Sequence, residues 1–115
     1  MRASNVRKLK VDRSATMSCE DNLSFMRPLP SGSMKLIVTS PPYNIGKSYE
    51  ARSPLAEYVK AQAQVISECV RLLANNGSLC WQVGNHVHRG EIFPLDMVLY
   101  PVFQEHGLKL RNRIV

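Results

Sequence analysis

The chain is expected to fold as an α/β protein around a parallel sheet, and three stretches carry that expectation. Met34 to Thr39 is a short, β-branched, apolar run closed by Ser40-Pro41-Pro42, the pattern of a buried parallel strand. From Leu55 onward the apolar residues recur at Tyr58/Val59, Val65/Ile66, Cys69/Val70 and Leu72/Leu73, the spacing of one helical face. Ser78 to Gly84 is a second strand-like run, and strand, helix, strand in that order is what a crossover between parallel strands requires.

Residues 1–17 read as a basic arm carrying Arg2, Arg7, Lys8, Lys10 and Arg13, either loose or with a short strand around Leu9 to Val11. Residues 18–115 read as a single domain portion. Within it, Glu20-Asp21-Asn22 opens a brief helix through Leu23, Phe25 and Met26, closed by Pro28, Pro30 and Gly32. Ser53 before Pro54 starts the long helix, and Asn76-Gly77 is expected to stop it. After the second strand, Asn85, His86, His88, Arg89 and Gly90 read as a loop. A further helix is expected from Ile92 to His106, kinked at Pro101 and ended by Gly107. Leu108 to Val115 alternates apolar and basic residues, as a third strand would.

Composition narrows the class of function. The 115 residues are 44% hydrophobic and 21% charged, ordinary values for a folded domain. Fifteen Lys and Arg against nine Asp and Glu leave a formal charge of +6, which favours polyanionic partners, nucleic acid first among them. Cys19, Cys69 and Cys80 are odd in number and widely spaced, without zinc-type pairing, so they read as reduced and mostly buried thiols. His86 and His88 have no acidic or cysteine partner at ligand spacing; no metal is expected. No apolar run has the roughly 18 residues of a membrane span, and the expected compartment is the cytoplasm, with no membrane partner.

The chemistry begins where the first strand of the sheet ends. Ligands of open α/β sheets bind beyond the carboxyl ends of strands, which is where Ser40-Pro41-Pro42-Tyr43-Asn44 lies. A hydroxyl and a carbonyl, Ser40 and Pro41, are a pair of acceptors suited to the two N–H bonds of an amine. The prolines hold such a loop rigid. Tyr43 offers a face for a base extruded from a duplex, and Lys47 a charge for a phosphate. The same four residues Ser-Pro-Pro-Tyr also suit a plain surface turn.

The run T-S-P-P-Y-N-I-G-K-S-Y-E, following M-K-L-I-V, resembles the catalytic motif of the N4-cytosine and N6-adenine DNA methyltransferases of the β class. Similar too are the helix ending R-L-L-A-N-N-G, the strand G-S-L-C-W-Q-V-G and the segment F-P-L-D-M-V-L-Y-P-V-F-Q-E-H-G-L-K-L-R-N-R-I-V, so that the resemblance covers about residues 18–115. It implies a partial, apparently truncated, Rossmann-like methyltransferase sheet. The implied reaction is methyl transfer from S-adenosyl-L-methionine to an exocyclic base amine of DNA, as in restriction–modification. Ser40, Pro41, Pro42 and Tyr43 would form the catalytic loop, Tyr43, Asn44 and Lys47 would meet the substrate, and Asp21 would lie near the cofactor's adenosine or else cap the short helix that starts there. Serine at position 40 leans toward cytosine N4.

The glycine-rich loop with which relatives hold the methyl donor has no counterpart, since no two of Gly32, Gly46, Gly77, Gly84, Gly90 and Gly107 stand close enough. The expectation is therefore a chain inactive by itself that needs a missing C-terminal half or second subunit. The competing readings are an inactive DNA-binding or subunit-interaction module and, with less support, a methyltransferase acting on protein or RNA.

Overall fold

The computed structural model describes residues 9–12, 15–42 and 54–115. Among these described residues it is a small mixed α/β domain with one parallel and two antiparallel strand pairs. In order the elements are β1 (Leu9–Asp12), β2 (Ala15–Met17), α1 (Asn22–Met26), β3 (Met34–Thr39), α2 (Leu55–Leu72), β4 (Leu73–Trp81), β5 (Asn85–His88), β6 (Glu91–Pro94) and α3 (Leu95–Glu105). The end of the basic arm is thus not loose, because β1 and β2 pair antiparallel.

The expected crossover is present: β3 and β4 pair in parallel, joined through α2. Helix α2 buries Tyr58, Gln62, Ile66, Cys69 and Leu72, steps of three and four that draw one stripe along the helix. Met26, Cys69 and Leu72 form one core cluster with Ile37 and Leu79 against it; Ile66, Leu99 and Val102 form a second with Val59 and Phe103. Trp81 touches both clusters and meets Phe103 edge-on at 5.6 Å, so it is a core aromatic that joins the two. Burial raises the Cys69 thiol pKa, with the Glu68 charge adding in the same direction.

Five expectations are corrected, the last being the burial of the cysteines. The long helix does not run to Asn76-Gly77: Leu73 is already extended, and it pairs with Met34 as the first residue of β4. Between the Met34–Leu73 and Leu36–Ser78 pairs β4 carries extra residues, a large bulge. There a Cβ on Gly77 would meet the Met34 and Ala74 carbonyl oxygens and Leu73 Cδ2, each at 3.0 Å. Gly77 is therefore a close-approach residue, not a helix cap. Residues 85–94 are not loop and helix start but a hairpin, β5 against β6, turned by Arg89 and Gly90, both with positive φ (49° and 78°). Two such residues match the twist of the flanking strands.

Third, Leu108–Val115 forms no strand; alternation alone makes no strand without a neighbour to supply the ladder. Helix α3 instead closes as expected at Gly107, where Gly107 N–H donates to the Gln104 carbonyl and Leu108 N–H to the Phe103 carbonyl, a Schellman closure. Fourth, β3 is buried on one face only: Ile37 points into the core while Leu36 and Val38 are 58% and 69% exposed. Of the cysteines Cys69 is buried, but Cys19 and Cys80 are exposed, Cys80 because it lies on that same open face.

Candidate catalytic loop and its supports

Ser40 follows β3 directly, and its surroundings are set by the β3–β4 register. Val38 pairs with Cys80 and Thr39 with Trp81, so the next step brings Ser40 opposite Gln82. Alternation along a strand then places both on the open face, in line with Val38 and Cys80. The ladder extends one step further, with Gln82 N–H donating to the Thr39 carbonyl at 2.9 Å. Ser40 Oγ donates to Gln82 Oε1, also at 2.9 Å.

The chain beyond is held by a second tether. Tyr58, 5% exposed in the first turns of α2, donates its hydroxyl to the Pro42 carbonyl at 2.6 Å. The Ser40–Pro42 segment is thus fixed at both ends, to β4 by Gln82 and to α2 by Tyr58. Pro41 is half-buried between them. Tyr43, Asn44 and Lys47 lie outside the described residues.

Asp21 sits at the N-cap of α1, its carboxylate accepting from Ser24 N–H at 3.1 Å. It is exposed, and a carboxylate has lone pairs to spare beyond one cap. Beside it opens a cleft lined by Thr16, Met17, Ser18, Glu20, Asn22 and Phe25. Asp21 and the loop belong to separate neighbourhoods, tied through α1 and its packing on α2.

Arg71 is the principal link there. Its guanidinium donates to the Met26 and Leu29 carbonyls at 2.9 Å each and to Ser31 Oγ at 3.1 Å, while Glu68 pairs with its Nε at 2.7 Å. Its own carbonyl accepts from Gly32 N–H.

The remaining candidates are structural. His86 is 4% exposed, its ring 6.4 Å from His88 and nearly parallel to it, and 6.1 Å from Phe93. Among the described residues no group of His, Cys, Asp and Glu is arranged to hold a metal ion, and no helix is long and apolar enough to cross a membrane. Arg113 pairs with Asp96, and that hydrogen bond, more than the smaller opposing effect of burial, lowers the Asp96 carboxyl pKa. Sequence reasoning singled out Ser40 and Pro41 but missed Gln82 and Tyr58. Only the parallel register would have pointed to Gln82, and only the position of Tyr58 one turn into the helix facing the loop would have suggested the other.

Residues 34–115, from the start of β3 onward, match the DNA methylase family of N6 and N4 methyltransferases. The chain belongs to this family. It is 45% identical over 96 residues to the type II methyltransferase M.BglII of Bacillus subtilis, covering 83% of this chain and 27% of that one. To M.MjaVI of Methanocaldococcus jannaschii it is 32% identical over 90 residues, 76% of this chain and 46% of the relative. M.Cfr9I of Citrobacter freundii is 35% identical over 77 residues, 62% and 26% of the two chains. The methyltransferase chain described here therefore spans less than half the length of each of these relatives.

Proposed function

We propose that residues 18–115 are the catalytic-loop portion of a Rossmann-like DNA methyltransferase that methylates an exocyclic base amine, cytosine N4 or adenine N6, in restriction–modification. The observation that carries this reading is the Ser40–Pro42 segment itself, pinned at the carboxyl end of a parallel strand by hydrogen bonds to Gln82 and Tyr58. Relatives named type II methyltransferases supply the reaction class.

An exocyclic amine is a weak nucleophile because its lone pair is delocalised into the ring. Ser40 Oγ and the Pro41 carbonyl accept its two hydrogens and draw the nitrogen toward tetrahedral geometry, so that the lone pair becomes available. Acceptors fixed before the base arrives need no reorganisation at the moment of reaction. Pro42 keeps the loop rigid, Tyr43 stacks on the extruded base, and Asn44 and Lys47 meet the nucleotide beyond it. The +6 charge favours the DNA backbone.

S-adenosyl-L-methionine supplies an electrophilic methyl carbon when bound. Asp21 and the adjoining cleft, with the ring of Phe25 and the polar groups of Ser18, Glu20 and Asn22, fit the adenosine end of that molecule. They are not a full cradle for it, and a glycine-rich loop for the methionine end is assigned to a partner polypeptide or further chain. Calorimetry of S-adenosylmethionine binding tests this, on the chain alone and mixed with a candidate C-terminal half, followed by DNA methylation assays with Ser40→Ala and Tyr43→Ala. Binding and methylation by the mixture, abolished by Ser40→Ala, is the expected result. Methylation unaffected by Ser40→Ala would remove the loop from the chemistry.

A further inference from the structure

Resting on that reading of the loop, we propose that Gln82 is the positioning residue of the reaction: its side-chain carbonyl holds the Ser40 hydroxyl as a pure acceptor for the base amine. A serine hydroxyl has one hydrogen and two lone pairs, and its hydrogen rotates to whatever acceptor is near. Left to itself, Ser40 would spend part of its time donating to water or to a ring nitrogen of the base, and each such state aims a hydrogen where the amine needs a lone pair. The Ser40 Oγ–Gln82 Oε1 hydrogen bond of 2.9 Å takes that hydrogen out of play. What remains on Oγ to face the base is lone pairs.

The position of Gln82 is itself determined. Its backbone is locked to β3 by the bond from Gln82 N–H to the Thr39 carbonyl, one residue before Ser40. Backbone and side chain thus grip the same two consecutive residues of β3 and its loop. A neutral amide oxygen also suits the task, since it accepts the hydrogen bond without removing the proton as a strong base would, and Ser40 stays a hydroxyl. Register makes this contact between partners 42 positions apart in the chain, which is why no local motif announces it.

The test uses this chain together with a candidate C-terminal half, comparing wild type, Gln82→Leu, Gln82→Glu and Ser40→Ala. Gln82 is exposed, so the substitutions leave the core intact. In Gln82→Leu, kcat is expected to fall on the order of tenfold to a hundredfold, the loss typical of a misaligned catalytic group, while KM for DNA changes little. In Gln82→Glu the protonated carboxyl can donate to Ser40 Oγ and occupy a lone pair, whereas the ionised carboxylate can only accept. The kcat of this variant is therefore expected to rise with pH through the carboxylate range, a limb that the non-ionising amide of Gln82 does not contribute.

Independently of activity, the side-chain carbonyl carbon of labelled Gln82 is expected to shift in the NMR spectrum of the chain when Ser40 becomes Ala. An unmoved Gln82 signal, or wild-type kcat in Gln82→Leu, overturns the proposal. Wild-type kcat in Ser40→Ala, or a wild-type mixture that methylates no base amine, overturns the reading of the loop itself, and the role of Gln82 falls with it.

Discussion

Replacing Arg71 by Met should destabilise the domain by about 2–4 kcal/mol, through the segment that leads into β3. Helix α1 is five residues long, too short to persist without tertiary support, and its last carbonyls have no intrahelical partners. Arg71 satisfies the Met26 carbonyl of that helix end and the Leu29 carbonyl of the turn that follows, at 2.9 Å each. Hydrogen bonds from a charged donor contribute about 1.5–3 kcal/mol apiece. Two such bonds sum to about 3–6 kcal/mol, but the side chain is 30% exposed and the Met26 carbonyl also accepts from Leu29 N–H, so part of the loss is recovered in the mutant and about 2–4 kcal/mol remains. The Glu68 pair adds less than about 1 kcal/mol, being a partly exposed contact one turn along the helix.

Methionine keeps the stem packed while removing every donor, which isolates the fork from the apolar contact. Urea denaturation of wild type, Arg71→Met and Arg71→Lys reads the effect. Lys retains the charge but as a single point that does not reach two carbonyls in one plane, and it should recover less than half of the loss. A midpoint for Arg71→Met that matches wild type, or full stability in Arg71→Lys, would refute the assignment of Arg71 as the clamp of the α1 turn.

Tyr58→Phe removes the tether on the Pro42 carbonyl; it should cost about 1 kcal/mol in urea unfolding and lower methylation kcat while S-adenosylmethionine affinity, measured by calorimetry, is unchanged. Gly77→Ala places a methyl group 3.0 Å from two backbone carbonyl oxygens, neither of which can swing aside as a side-chain end would, and should lower thermal stability by about 1–3 kcal/mol. Asp96→Asn tests the pair with Arg113. Because the folded carboxyl pKa is lowered, its contribution is present above the ordinary carboxylate pKa and is lost as pH falls through the folded value. With both side chains more than a third exposed, the wild-type advantage should be at most about 1 kcal/mol near neutrality and vanish in acid, as read from paired denaturation curves.

Local signals in the sequence were sufficient for some of this and insufficient for the rest. The stripe of α2, the strand before Ser40 and the Gly107 stop are each fixed by residues within a few positions of one another, and each appears where those residues predict it. Asn76-Gly77 misled because the same dipeptide that ends a helix also fits a bulge where two backbones nearly touch, and the choice depends on Met34, far away in the chain. The β5–β6 hairpin was legible in principle from two apolar-containing tetrads flanking Arg89-Gly90, a turn pair with glycine second. Leu108–Val115 carries a strand pattern with no strand beside it. At the candidate site the loop was recognisable as a motif, whereas its two supports are contacts across 42 and 16 residues.

The two faces of the β3–β4 pair divide the work of the domain. Ile37, Leu79 and Trp81 face α2 and make the core; the alternate residues Leu36, Val38 and Cys80 run outward in a row that ends at Ser40 and Gln82. A slip of one residue in the pairing would turn every outward side chain inward, breaking the Ser40–Gln82 contact and the core together. What sets that register is the bulge between the Leu73 and Ser78 pairs, where Gly77 lets β4 approach the Met34 carbonyl. The alignment of the Ser40 hydroxyl with its acceptor thus depends on a glycine at the opposite end of the sheet. Gly77→Ala, if it shifts the register instead of merely straining it, should lower kcat by the same route as Gln82→Leu, with the NMR signal of the Gln82 side chain moving in both Gly77→Ala and Ser40→Ala.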